Sequence, residues 1–143
     1  MIGNVAAPKL RGPGVANVSL AQSCGRILLY ATDHEPRRFV ERVDFISVPG
    51  HLRGPASKAE AGIRSRGPTL CVTPIAVMDF DPASLRMRLR SVHGSATENE
   101  VRKRTGFELA ADGPVQATAP VTARELETLR ERVDPEGLLR NGD

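Results

Sequence analysis

The sequence predicts an α/β domain: an open sheet with flanking helices that ends in a β-hairpin followed by two helices. Three observations carry that prediction. "RILLYA" (26–31) is a continuous apolar run of strand length. "LRMRLR" (85–90) alternates strictly between apolar residues and arginine, the period of a half-buried strand. Two Thr-x-x-Glu boxes, Thr97/Glu100 and Thr122/Glu125, write helix starts close behind it.

Taken in order, residues 1–17 are rich in Gly and Pro around "KLRGPGVAN", and 16–23 predict a short helix ended by Gly25. The run 26–31 suits a buried position in a parallel or mixed sheet. Residues 37–48, with Phe39, Val40, Val43, Phe45, Ile46 and Val48, read as a helical turn passing into a strand. Residues 49–68 are polar and broken by Gly and Pro, which predicts a long surface loop. "LCVTPIAVMDF" (70–80) predicts a strand that Pro74 confines to an edge or a bulge. "DPAS" (81–84) supplies a turn. In 85–90, Leu85, Met87 and Leu89 should point inward and Arg86, Arg88 and Arg90 outward. In the last helix Val121 and Leu126 hold the positions of a hydrophobic staple. Leu126, Leu129 and Val133 make an apolar stripe that Asp134-Pro135 ends. The central sheet is expected to contain 26–31, 70–80 and 85–92.

Composition bounds the function. The 143 residues suit one domain, able to bury about two thirds of the surface of its unfolded chain. Only 3 % of residues are aromatic, so the core must come from Val, Leu, Ile, Ala and Met. No apolar run approaches the ~20 residues of a membrane span and no signal peptide opens the chain, so no membrane role is expected. Cys24 and Cys71 lack a CxxC or a histidine at metal spacing, which reads as two free thiols in a reducing cytoplasm. The net charge of +3 comes from arginines spread among acids. Without tryptophan, and with Tyr30 as the sole tyrosine, stacking platforms for nucleic acid are missing.

The best local candidate for chemistry is Gly12 to Asn17, "GPGVAN". Glycines before a helix start leave backbone N–H groups directed at one spot, which suits an anion or a developing oxyanion. The spacing fails the dinucleotide fingerprint because Asn17 stands at the third glycine. A tight turn without a ligand is the plainer alternative. Arg86, Arg88 and Arg90 on one strand face could clamp phosphate, but a solvated outer face is the expectation. His34, His51 and His93 share no motif and read as surface or loop residues. Glu35 and Glu41 read as salt-bridging residues.

Longer stretches carry a resemblance. "VDFISVPG" (43–50), "IAVMDFD", "LRMRLRSVHG", "TENEVRKRTGFEL" and "ELETLRERVDPEGL" follow one another in an order similar to the C-terminal half of the β subunit of family I coenzyme A transferases. That is the glutaconate and 3-oxoacid CoA-transferase group. "RGPGVANV" sits where the family carries a "GSGGAND"-type turn, and Thr105-Gly106-Phe107 matches its helix stop. The resemblance runs from about Gly12 to Leu139. It implies a NagB/RpiA/CoA-transferase-like fold and one β-subunit-like domain over 1–143, without the family's N-terminal half.

Function follows from the same resemblance: CoA transfer between an acyl-CoA and a carboxylic acid beside an α-subunit homologue. The CoA thioester is the substrate, and no cofactor or metal is needed. The turn made by Gly12, Gly14, Val15, Ala16 and Asn17 would hold the thioester oxygen. Two departures bear on activity. The family's nucleophilic glutamate, which forms a covalent glutamyl-CoA, lies in an "ENG"-type turn that this sequence lacks. Val15 and Val18 replace the family's glycine and acidic residue. The alternatives are a non-catalytic scaffold or shortened homologue, with self-association in place of a partner, and a subunit of a hydrolase that opens rings in CoA thioesters.

Overall fold

A computed structural model describes residues 2–3, 6–10, 15–110 and 113–138. Its elements are β1 (Ile2–Gly3), β2 (Pro8–Leu10), α1 (Val15–Ser23), β3 (Ile27–Tyr30), α2 (Pro55–Glu60), β4 (Pro68–Val72), β5 (Ala76–Phe80), β6 (Met87–Val92), α3 (Glu98–Arg104), β7 (Gln116–Ala117) and α4 (Ala123–Thr128). A π-helical turn, Leu129–Val133, continues α4. β1 and β2 pair antiparallel by themselves. The main sheet runs β3-β4-β5-β6-β7; its central pairs are antiparallel, and both outer strands join parallel. The α/β class and the strands at 27–30 and 87–92 agree with the sequence reading.

Turn chemistry sets the central strands. Residues 70–80 are two strands rather than one bulged strand, because Pro74 stands in the turn between β4 and β5. Thr73 closes that turn: its hydroxyl oxygen accepts from the Ala76 N–H at 3.1 Å, and its own N–H donates to the Ala76 carbonyl. Asp81 closes the next one by accepting from the Ser84 N–H and hydroxyl at 2.6 and 2.7 Å. Register then aligns Leu29 with Cys71, Cys71 with Met78 and Met78 with Leu89, one row across four strands. Phe39, Ala76, Val101 and Leu109 complete the buried core with Cys71, Met78 and Leu89.

Helix α3 covers this row through Val101, which is fully buried. Thr97 caps it by accepting from the Glu100 N–H at 3.2 Å, while Glu98 and Glu100 in the first turn and Arg102, Lys103 and Arg104 in the last complement the helix dipole. Thr122 and Glu125 form the full reciprocal capping box expected for α4.

Several expectations fail for one physical reason. β3 is an edge strand: Leu28 and Tyr30 are 59 % and 76 % exposed instead of buried. The stripe on α4 is also open, with Val133 64 % exposed and Val121 of the staple largely exposed. Residues 37–48 form turns, and no strand follows; Val43, Phe45 and Ile46 face outward. In each case the apolar pattern is real, but the described residues supply no surface to cover it. The loop 49–68 contains α2, and β7 escaped the sequence reading because two residues carry no periodicity.

Gly106 is where the helix stop and the core meet. Its N–H donates to the Phe39 carbonyl at 2.7 Å, and a Cβ placed on it would lie 2.5 Å from that oxygen. Backbone on both sides leaves nothing to give way. Gly106→Ala should therefore destabilise the fold by about 2 kcal/mol, within the range for overpacking. The midpoint of urea unfolding checks this; an unchanged midpoint would show that the two segments are not locked together.

Candidate functional site

The turn singled out in the sequence opens α1. Gly12 and Gly14 lie outside the described residues, whereas Val15, Ala16 and Asn17 form the first helical turn. The first N–H groups of a helix have no intrahelical acceptor, and α1 carries no acidic residue in that turn to neutralise them. The backbone therefore offers donors there, and the residue types offer no nucleophile.

The histidines depart most from expectation. His34 is buried, stacked on Phe39 with ring centroids 4.3 Å apart. Its Nδ1 lies 3.0 Å from the Thr73 hydroxyl and its Nε2 3.0 Å from the Thr105 hydroxyl. The Thr105 hydroxyl donates to the Val101 carbonyl at 2.8 Å, so it accepts from His34 Nε2–H. Nδ1 then accepts from Thr73. This neutral tautomer takes the single Thr73 hydroxyl proton for Nδ1, and the Ala76 carbonyl 3.3 Å from that hydroxyl keeps the Thr73 N–H as its donor. Burial holds the His34 pKa below its ordinary value, and the Arg104 charge adds to the effect. No sequence motif marks the role, because its partners lie 39 and 71 residues away. His51 lines a cleft beside Lys58, and His93 sits half-buried after β6.

The arginine face is not a phosphate clamp. Asp79 stands opposite Arg88 in the β5–β6 register and accepts from Arg88 Nε at 2.6 Å and Nη2 at 3.1 Å, with Arg90 at 3.4 Å. Arg88 is thus half-buried in an ion pair, not solvated. Arg86 donates to the Glu108 carbonyl at 2.7 Å. Glu35 pairs with Arg104 at 3.0 Å, the salt-bridging role expected of it. Cys24 and Cys71 are both free, and burial pushes the Cys71 thiol up. Among the described residues, no three His, Cys, Asp or Glu side chains converge as a metal site. No helix there is long and apolar enough to cross a membrane.

What remains is a hollow of about 580 Å³ along β3, lined by Leu20, Cys24, Leu28, Tyr30 and Val48. An open sheet with an apolar edge strand, and backbone donors at a helix start beside it in the chain, define an α/β domain of open-sheet type. The relatives make that class specific. The chain is homologous to the β subunit of glutaconate CoA-transferase from Acidaminococcus fermentans, at 33 % identity over 94 % of the chain and 50 % of the relative. It is also homologous to the β subunit of 3-oxoadipate CoA-transferase from Pseudomonas knackmussii, at 28 % identity over 91 % of the chain and 50 % of the relative. The chain thus spans about half the length of the curated relatives it matches. No protein-family model matches it.

The fold is that of glutaconate CoA-transferase from Acidaminococcus fermentans: TM-score 0.80 and 28 % identity, over 99 % of this chain and 54 % of that one. Rhodococcus jostii IpdAB follows at 0.78 with 25 % identity, over 96 % and 54 %. The decarboxylase AibA/AibB matches at 0.72 with 26 % identity, over 95 % and 50 %.

The His34 network makes stability depend on pH. Its pKa is depressed in the folded state, so the unfolded chain binds more protons below the ordinary value of 6.5. The contribution is fully present above that value and falls away as pH drops through the folded pKa. Urea unfolding at pH 7.5 and 5.5 should show lower stability at 5.5, and His34→Gln should flatten part of that difference. His34→Ala should cost about 3 kcal/mol at pH 7.5, since it removes a buried ring from its stack on Phe39 together with both of its hydrogen bonds, although the two threonine hydroxyls keep their backbone partners. An identical pH slope in wild type and His34→Gln would count against the neutral bridge.

Proposed function

We propose that this chain acts as a CoA-transferase-type β-subunit domain, with residues 1–143 as one unit. It would take part in transfer of CoA between an acyl-CoA and a carboxylic acid, in the cytoplasm, together with a partner subunit. The observation that carries this reading is the 33 % identity to the β subunit of glutaconate CoA-transferase across nearly the whole chain. The exposed edge of β3 supports a partner, because an apolar strand paired on one side only gains most from being covered. An α-subunit homologue is the occupant this reading favours, with self-association as the alternative. No Glu-Asn-Gly turn occurs in this sequence, so within this reading a nucleophilic glutamate would have to be supplied by the partner assembly.

Within this reading the turn from Gly12 to Asn17 is the acyl-CoA-binding element, and the backbone of Gly14, Val15 and Ala16 would face the thioester carbonyl. Such amides need no reorganisation as charge develops, and loss of one typically costs ~3 kcal/mol of transition-state stabilisation. Val15 places a branched residue where the related turns keep glycine, so affinity is weak. A second reading, an assembly of decarboxylase type, draws on the likeness to AibA/AibB. Release of CO2 from an acyl-CoA, without exchange of CoA onto a free acid, would favour it.

Titration of the chain with acetyl-CoA and succinyl-CoA, alone and with its co-purifying subunit, tests the site. Val15→Gly should tighten binding while turnover stays absent unless a glutamate is supplied. Undetectable binding in both forms, even with the partner, leaves a scaffold. Light scattering with a hydrophobic dye tests the edge: association or dye binding is expected, and a dye-silent strict monomer argues against a partner.

A further inference from the structure

Residues 49–67, which hold α2, are tied to the sheet by side-chain packing alone. Among the described residues, every hydrogen bond of this segment closes within it. The Leu52 N–H donates to the Pro49 carbonyl at 3.0 Å, the Ile63 N–H to the Lys58 carbonyl at 2.9 Å and the Gly67 N–H to the Ser65 hydroxyl at 3.1 Å. None of its charged side chains joins an ion pair there. Gly50 and Gly67, at its two ends, have φ +54 and +86, values that glycine enters and leaves without steric cost.

Two basic side chains lie under this segment. Lys58 is only 6 % exposed, and its Nζ and the His51 Nε2 are both shut off from solvent without a hydrogen-bond partner. The two side chains meet over Gly67, where a Cβ would lie 2.8 Å from His51 Nδ1 and 3.1 Å from Lys58 Nζ. On the sheet side the Phe80 ring stands edge-on to His51 at 4.7 Å. The charges near His51 come from three elements: Lys58 from α2, Arg64 and Arg66 from the end of the segment, and Asp79 and Asp81 from β5 and the turn after it. Asp79 is engaged by Arg88 and Arg90, and Asp81 by the Ser84 hydroxyl. Burial holds the His51 pKa below its ordinary value of 6.5, and the Lys58 charge adds to the effect. A proton on His51 would set a second cation beside the buried first one, with both carboxylates of the cleft already engaged. Like charges kept from water repel strongly, and release of the segment returns both to solvent.

We propose that residues 49–67 form a pH-operated flap, closed over the cleft of about 490 Å³ between α2 and the β5–β6 turn while His51 is neutral, and swung open on Gly50 and Gly67 when His51 takes a proton. The released ring titrates near 6.5, above the buried one, so closure is fully stabilised above that value and is lost as pH falls through the folded pKa. The flap uses this chain's own residues and is independent of the subunit reading above.

Hydrogen exchange of the full chain tests this, followed by mass spectrometry at pH 7.5 and 5.5 and corrected for the intrinsic pH dependence of exchange. Protection within 49–67 should fall about five- to tenfold at pH 5.5 relative to β5 and β6, tenfold being about the limit for a ring that titrates near 6.5 once released. His51→Phe keeps a ring against Phe80 and should abolish the fall. Lys58→Met removes the like charge and should reduce it. His34→Gln, whose partners lie outside the flap, should leave it intact. In the wild type, the NMR titration of the His51 ring should share its midpoint with the loss of protection. The proposal is overturned if 49–67 loses no more protection than β5 and β6, or if His51→Phe or Lys58→Met responds as the wild type does. It is equally overturned if the His51 ring titrates at 6.5 or above. Exchange and titration of the wild type decide the matter even if a variant fails to fold.

Discussion

His34, held between the hydroxyls of Thr73 and Thr105, ties together three segments that are far apart in the chain: the loop after β3, the β4–β5 turn and the end of α3. Each hydroxyl is itself spent on local backbone, Thr73 on the turn and Thr105 on the last turn of α3. The imidazole can join them only because both threonines are already oriented. Around this bridge Phe39 stacks on the ring, and its carbonyl receives the Gly106 N–H. A buried polar network that is fully satisfied costs little and specifies one arrangement. With few aromatic residues to fill the interior, that specificity falls to hydrogen bonds more than to large side chains.

The two faces of the sheet are treated differently. On one, the row from Leu29 to Leu89 is roofed by α3 and sealed by Leu109. Beyond it, Leu28, Tyr30, Ile46 and Val133 lie open to solvent. Leu28 and Tyr30 lie on β3, whose outer edge no described strand pairs. The chain corresponds to about half the length of its curated relatives.

Charge placement follows a division of labour. The Asp79–Arg88 pair links β5 to β6 in a half-buried, bidentate geometry, while the helix pairs of α3 remain exposed and contribute only tenths of a kcal/mol each. Lys58 stands outside this pattern as a buried cation that no carboxylate meets. Stability alone would have replaced it with an apolar side chain of similar length. It stands beside His51, whose Nε2 is likewise buried without a partner.

By itself the sequence determined whatever depends on neighbours in the chain. The Thr97 and Thr122 caps, the Asp81 turn and the alternation of Met87 and Leu89 all act within a few residues, and all are present as read, whereas Gly106, next to the Thr105 cap of α3, answers to Phe39 far away in the chain. The ordered motifs also pointed to the CoA-transferase subunits that the chain matches. Of the candidate turn, only the helix start at Val15–Asn17 is described. Tertiary structure alone decided burial and partnership. It put His34 inside, turned Arg88 toward Asp79, left β3 at an edge, and gathered His51 and Lys58 over Gly67. Apolar periodicity records which face seeks cover, but not whether this chain supplies it. A lone histidine or lysine gains its environment only from segments that the fold brings together.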